Sequence, residues 1–184
     1  RADAYINDIM QKLILVTRRI VQRIDHSDEL RRQFDLRVEK TQSSIGAIIK
    51  NLRSAKHRFE GMTKPVGRYC VWHDCFLDVA TWMTAARKGK AEGHDAEAFL
   101  MLVDEENRLQ LAILADFGDD CLGFTRWLDD EDFDVAEMQT KAKRFVDMLV
   151  VLYETGGCCT TTHGYTHAVS EQLRVTRMIH VRGV

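Results

Sequence analysis

DAYINDIMQKLILVTRRIVQRIDHSDEL, residues 3–30, contains a helical pattern, its interruption and the start of a second pattern. Six apolar residues recur at steps of three and four, so they share one face of a helix. They are Ile6, Ile9, Leu13, Val16, Ile20 and Ile24. The segment DHSDEL (25–30) interrupts this stripe, and Ser27 is a favourable N-cap for a new helix. Asp28 and Glu29 favour the same start, because acidic side chains stabilise the first turn of a helix.

The second amphipathic pattern continues to about residue 60. Its seam alternates steps of four and three, as in a coiled coil. The seam consists of Phe34, Val38, Thr41, Ile45, Ile48, Leu52, Ala55 and Phe59. The segment EGMTKPVG (60–67) predicts the end of this helix, because Gly61 can cap it and Pro65 cannot continue it. We therefore expect an antiparallel helical hairpin over residues 1–61.

Further helical patterns follow along the chain. RYCVWHDCFLDVATWMTAARKGK (68–90) is apolar on most faces, which is typical of a central, buried helix. Apolar residues at steps of three and four predict a helix over 135–152. The residues of this stripe are Val135, Met138, Ala142, Phe145, Leu149 and Leu152. A last helix is expected over 164–180. Between these helices, GDDCLGFTRWLDDEDFD (118–134) is interpreted as an acidic connector.

Residues 95–117 fit two structures. FLMLV (99–103) and LQLAIL (109–114) could be the strands of a hairpin, or the whole segment could be one helix. Ala and Leu outnumber β-branched residues, which favours the helix. The predicted fold is a mainly α bundle of five or six helices that opens with a long coiled-coil-like hairpin. Residues 1–184 are expected to form one domain, with the hairpin at 1–61 and a helical core at 66–184.

Overall composition limits the class of protein. The chain has 184 residues, of which 45% are hydrophobic, as in ordinary globular proteins. No run of about 18 apolar residues predicts a membrane-spanning helix. The five cysteines are an odd number without a secretory signal, which favours a reducing intracellular compartment, the cytoplasm. The chain does not begin with Met, so we expect it to be part of a longer protein.

The near-neutral total charge of −2 hides a segregation along the chain. Residues 1–68 carry a net charge of +7, residues 69–156 carry −11 and residues 157–184 carry +2. The basic segment could bind a partner, including the phosphates of a nucleic acid, or it could lie against the acidic segment inside the fold. The candidate partner-binding residues are Arg18, Arg19, Arg23, Arg31, Arg32 and Arg37.

GGCCTTTHGYTH (156–167) contains residue types that bind metal ions. Zinc prefers thiolate and imidazole ligands, so Cys158, Cys159, His163 and His167 form a candidate zinc site. The spacing fits no standard zinc motif, and the alternative is a loop that ends a helix. Cys70, His73 and Cys75 are further ligand candidates if their helix lies beside this loop.

Catalysis by the same loop is a weaker hypothesis. A thiol near a helix N-terminus could act as a nucleophile with His163 as its base. The phosphatase pattern Cys-x5-Arg is absent, since Tyr165 stands where Arg would be needed after Cys159. We therefore do not expect an enzyme. The sequence favours a non-catalytic interaction or regulatory module, with a protein partner or self-association along the 34–59 seam, and with zinc or nucleic-acid binding as alternatives.

Overall fold

The computed structural model describes residues 4, 7–8, 10–40, 60–129, 134–160 and 164–175. These residues form eight α-helices and no strand, which confirms the mainly α prediction. The helices are α1 (Leu15–His26), α2 (Asp28–Lys40), α3 (Glu60–Val71), α4 (His73–Ala86), α5 (Ala91–Leu100), α6 (Glu105–Leu128), α7 (Val135–Leu149) and α8 (Tyr165–Val175). One π-helical turn, Met10–Ile14, precedes α1, and a second, Val150–Glu154, continues α7. A 3-10 turn at Gly157–Cys159 lies between that turn and α8.

One buried cluster joins most of these helices. It begins at Leu13, before α1, and ends at Leu173 in α8. Helix α3 packs along α6, α4 packs against α5, and α8 packs against α6. Helix α1 contacts α2, α3 and α5. The apolar stripe of the first pattern is therefore part of the central core, where Ile20 and Ile24 have no exposed surface.

The described part of the predicted seam is also buried. Phe34 and Val38 are only 1% and 7% exposed. The Phe34 ring lies 4.8 Å from the ring of Phe76 in α4 and meets Trp72 edge-on at 6.4 Å. These seam residues therefore contact the rest of the same chain, while seam residues 41–59 lie outside the described residues.

The hairpin alternative for residues 99–114 is wrong, and the predicted single helix is divided in two. The candidate strand 109–114 lies inside α6, whereas the candidate strand 99–103 covers the end of α5 and most of the break at residues 101–104. The Asp104 side chain accepts a hydrogen bond from the backbone N–H of Asn107 at 2.7 Å and so caps α6. The polar residues after Val103 therefore start a helix, because an N-cap satisfies its free N–H groups.

Two predicted helix boundaries are also wrong. The segment 60–67 was expected to end a helix, but it lies inside α3, with Pro65 in the second turn. A proline there removes one backbone hydrogen bond, and Pro65 and Val66 are both buried. The predicted helix over 68–90 is divided at Trp72, whose backbone is not helical, so α3 ends at Val71 and α4 begins at His73.

The acidic connector predicted at 118–134 is a helix over most of its length. Helix α6 continues to Leu128, although the segment carries Asp119, Asp120 and two glycines. This extension runs beside α7, and the contacts between the two helices explain why it forms. The last helix begins close to its predicted start and is described to Val175. No helix in the described ranges has the length and apolar character that crossing a membrane requires.

Candidate interaction surface

The second half of α6, helix α7 and the π-helical turn after it form an arm outside the main core. We call residues 117–128 and 135–154 the arm. The buried cluster contains Ala115 and next Val169, and it includes no described residue between 116 and 164, although Gly118 and Leu122 of α6 are buried. Helix α7 has no buried residue at all. Within the arm, the described contacts of α7 with α6 lie along one side of α7.

Among the described residues, two pairs of side chains hold α7 against α6, and two more hold the π-helical turn that follows it. The rings of Phe124 and Phe145 stack with centroids 4.4 Å apart and an angle of 4° between their planes. The Lys141 ammonium lies 4.4 Å from the centroid of the Trp127 ring, close enough for a cation–π contact. These pairs join successively later positions of α6 to successively earlier positions of α7. The two helices therefore run antiparallel.

Tyr153 makes the remaining two contacts, in the π-helical turn. Its hydroxyl donates a hydrogen bond to Oδ2 of Asp120 at 2.6 Å. Its ring meets Phe117 edge-on, with centroids 5.4 Å apart. Burial and this hydrogen bond to a carboxylate raise the pKa of the Tyr153 hydroxyl above its usual range. Tyr153 is therefore a neutral donor that fixes the end of the arm to α6.

The opposite side of α7 and its π-helical turn is exposed and carries three valines among charged residues. We call Lys143, Val146, Asp147, Val150, Val151 and Glu154 the outer face. All six residues are exposed, and the valines at 146, 150 and 151 are 56%, 40% and 58% exposed. The residues recur at steps of three and four, so they line one side of the helix. A contiguous exposed apolar patch with a charged rim is typical of a protein-binding surface.

The base of the arm is fixed to α8 by Asp116. Its carboxylate accepts hydrogen bonds from the backbone N–H groups of Tyr165 at 2.7 Å and Thr166 at 2.8 Å. Gly164, with φ +107°, precedes them, and a Cβ at Gly164 would lie 2.7 Å from Oδ1 of Asp116. The close approach of the carboxylate therefore requires glycine at this position. Asp116 performs for α8 the function that a local N-cap residue usually performs.

The predicted metal loop lies beside this base. Cys158 and Cys159 come together with their Sγ atoms 4.0 Å apart, Cys158 buried and Cys159 exposed. Burial, then the neighbouring Cys159, raise the pKa of the Cys158 thiol to about 11. His167 lies in the first turn of α8, and His163 lies outside the described residues. Within the described ranges, no group of three or more His, Cys, Asp or Glu side chains could hold a metal ion.

The second set of ligand candidates lies in the core. Cys70 and Cys75 are buried, and burial raises the pKa of the Cys70 thiol to about 12. His73 is also buried, and its Nδ1 forms a hydrogen bond with the Tyr69 hydroxyl at 2.8 Å. Burial, then the nearby charge of Arg108, lower the pKa of His73 to about 4. His73 is therefore neutral at pH 7 and stabilises the contact between α3 and α4.

Most of the candidate basic residues form ion pairs within the fold. Arg19 and Arg23 both bind the carboxylate of Asp95 in α5, at 3.2 and 2.9 Å. Arg31 pairs with Asp25 at 3.1 Å and with Asp35 at 3.4 Å. Arg37 lies 3.9 Å from Asp78 in α4. Arg18 is half-buried, and Arg32 is exposed beside a shallow groove on α2.

The basic and acidic segments of the chain therefore meet inside the fold at Asp95 and Asp78. This contact accounts for part of the charge segregation without an external partner, because an acidic side chain of the middle segment neutralises a basic one of the first. The sequence left open whether the basic segment binds a partner or lies against the acidic segment. The observed ion pairs support contact with the acidic segment.

No family model, no curated protein and no solved structure matches this chain. The arm is the candidate site that sequence reasoning missed. Its signal was present, because FVDMLVVLY (145–153) is apolar on nearly all faces and a one-sided stripe explains only half of it. The prediction used the stripe through Phe145 and Leu149, whereas the helix has a second apolar stripe through Val146 and Val150.

Proposed function

We propose that this chain is a non-catalytic protein–protein interaction module and that the outer face of the arm is its contact surface. One observation carries the proposal: α7 buries no residue, yet it presents valines on the side turned away from α6. Exposed valines are costly in water, by roughly 25 cal/mol for each Å² of apolar surface. A second protein that covered them would recover this free energy.

The placement of the arm supports the same function. Its residues contribute nothing to the main buried cluster, so the outer face is not needed for the core to fold. Its inner contacts, by contrast, are specific: a stacked ring pair, a cation–π contact and a hydrogen bond of 2.6 Å. A surface that is held rigidly but left uncovered is suited to binding, because less conformational entropy is lost when the partner docks.

Site-specific photo-crosslinking tests this function. A photoreactive benzophenone amino acid is introduced at Val150 on the outer face and, as a matched control, at the exposed Lys88 between α4 and α5. The full chain is irradiated in the cells that make it. We expect a discrete crosslinked product from position 150 and none from position 88, and the product should be lost when Val146→Glu is added.

A smear of weak products that is equal at both positions would contradict the proposal. Circular dichroism of each variant in advance ensures that the comparison is between folded chains. The fold is expected to tolerate the photoreactive residue at position 150 and Val146→Glu, because the outer face does not belong to the core cluster.

Zinc binding by Cys158, Cys159, His163 and His167 stays a prediction. Of these four residues, Cys158 and Cys159 lie close together, with 4.0 Å between their Sγ atoms, and His163 lies outside the described residues. Elemental analysis of the purified chain, with Cys158→Ser as the comparison, decides it. Nucleic-acid binding has weaker support, because the ion pairs of Arg19, Arg23, Arg31 and Arg37 already occupy those charges.

A further inference from the structure

We infer that the partner of the outer face is a second copy of this chain, which pairs with it antiparallel about a twofold axis. This inference rests on the proposed function and identifies its partner. The argument comes from the order of residues along the outer face. A basic residue, Lys143, stands at one end, three valines and Asp147 occupy the middle, and an acidic residue, Glu154, stands at the other end.

The charges of Lys143 and Glu154, at the two ends of the outer face, form no ion pair with the described part of the chain. Both side chains are exposed and lie on the same side of the helix as Val146 and Val150. They are about 16 Å apart along the axis, at a rise of 1.5 Å for each of the intervening residues.

A face of this kind is complementary to itself in one orientation. In a twofold antiparallel pair centred between Met148 and Leu149, Lys143 of one copy faces Glu154 of the other, twice by symmetry. Val146 then faces Val151, and Val150 faces the methylene group of Asp147. A parallel pair would place Lys143 against Lys143 and Glu154 against Glu154, which is repulsive. Charge complementarity therefore selects the antiparallel second copy.

The size of the outer face determines how tightly two copies are expected to bind. The contact covers about three helical turns on each copy, which is less than the roughly 1,600 Å² that a standard stable interface buries in total. We expect a reversible dimer with a dissociation constant on the order of 10 µM. The dimer would form at high local concentration and dissociate on dilution.

Charge reversal tests both the partner and the orientation. Sedimentation velocity of the full chain is measured from about 1 to 200 µM at low salt, and an increase in sedimentation coefficient with concentration is expected. Lys143→Glu alone and Glu154→Lys alone each create two repulsive contacts, and each should weaken dimerisation about tenfold. The double variant K143E/E154K restores both pairs and should return to within about twofold of the natural chain.

The remaining outcomes each overturn a defined part. A natural chain that stays monomeric at 200 µM overturns the second-copy inference, whereas a crosslinked product at Val150 that contains another protein would leave the proposed function standing. A dimer that K143E/E154K does not restore overturns the antiparallel pairing. Lys88→Glu, in the exposed turn between α4 and α5, serves as the matched control, since it also reverses a lysine charge but lies outside the arm, and it should leave dimerisation unchanged.

Discussion

Asp116 in α6 accepts a 2.7 Å hydrogen bond from the backbone N–H of Tyr165, so a residue 49 positions earlier in the chain caps α8. A second bond, from Thr166, completes the cap. The start of α8 therefore depends on tertiary structure, because only a folded α6 brings this carboxylate to it.

Asp116→Ala should lower the free energy of unfolding by about 1–2 kcal/mol, the usual effect of losing an N-cap. For a chain of this length the melting temperature should fall by roughly 2–8 °C. Calorimetry measures it. Asp129→Ala, an exposed aspartate at the end of α6, serves as the control and should change little. An unchanged melting temperature for Asp116→Ala would mean that another group caps α8.

Replacing Asp119 should raise the stability of the fold, in contrast to replacing Asp116. Burial, then the neighbouring carboxylates of Asp116 and Asp120, raise the pKa of Asp119. A raised carboxyl pKa means that the folded chain binds the proton more tightly than the unfolded chain. Stability therefore decreases as pH rises through the window above the ordinary value of 3.8 and up to the folded pKa. Asp119→Asn removes this cost at pH 7 and should raise the melting temperature; a decrease would contradict the argument.

Phe145 holds the arm without being part of the core. Phe145→Ala removes the ring that stacks on Phe124 and should cost about 1–2 kcal/mol, less than for a fully buried phenylalanine because Phe145 is half-buried. The loss should be local. Hydrogen exchange measured by mass spectrometry should accelerate in residues 135–154 and stay unchanged in α3 and α4. Val146→Ala, on the outer face, is the matched control and should leave the exchange of residues 135–154 unchanged. Equal acceleration in both variants would contradict the argument that α7 is held by its inner side alone.

His73 should make the whole fold sensitive to mild acid. Its pKa is lowered to about 4 by burial and by Arg108, while its unfolded value is 6.5. The unfolded chain therefore binds more protons between these values, and stability falls as pH decreases from about 6.5 towards 4. This group alone should cost about 2 kcal/mol between pH 7 and pH 5. Urea unfolding of the natural chain and of His73→Gln should show a smaller pH dependence in the variant; an identical dependence would assign it to other groups.

The sequence predicted those parts of the fold that follow from local periodicity. The apolar stripes at Ile20 and Ile24, and at Phe34 and Val38, are buried where the spacing placed them. Boundaries were predicted less well, because they depend on contacts that are distant in sequence. Pro65 was read as a helix end, although its burial in the core offsets one lost hydrogen bond.

The candidate surface was harder to predict than the fold. Periodicity shows which residues of α7 are apolar, but it does not show that α6 covers only one of its two apolar sides. The acidic run at Asp119 and Asp120 looked like a connector, because its helical form depends on Tyr153 and Phe145. The candidate surface is defined by the residues that the fold leaves uncovered, and these are known only once the packing is known.

The contact between Asp116 and Tyr165 also has a topological consequence. The chain leaves the main core after Ala115 and returns at Tyr165, and the two points are joined by a hydrogen bond of 2.7 Å. The intervening residues are thus an insertion with adjacent ends. Because the entropy of closing a loop grows only with the logarithm of its length, such an excursion can be lengthened, shortened or exchanged at small cost to its host. The excursion from Asp116 to Tyr165 therefore begins and ends at one place on the main core, which is the arrangement that an insertion into a host domain requires.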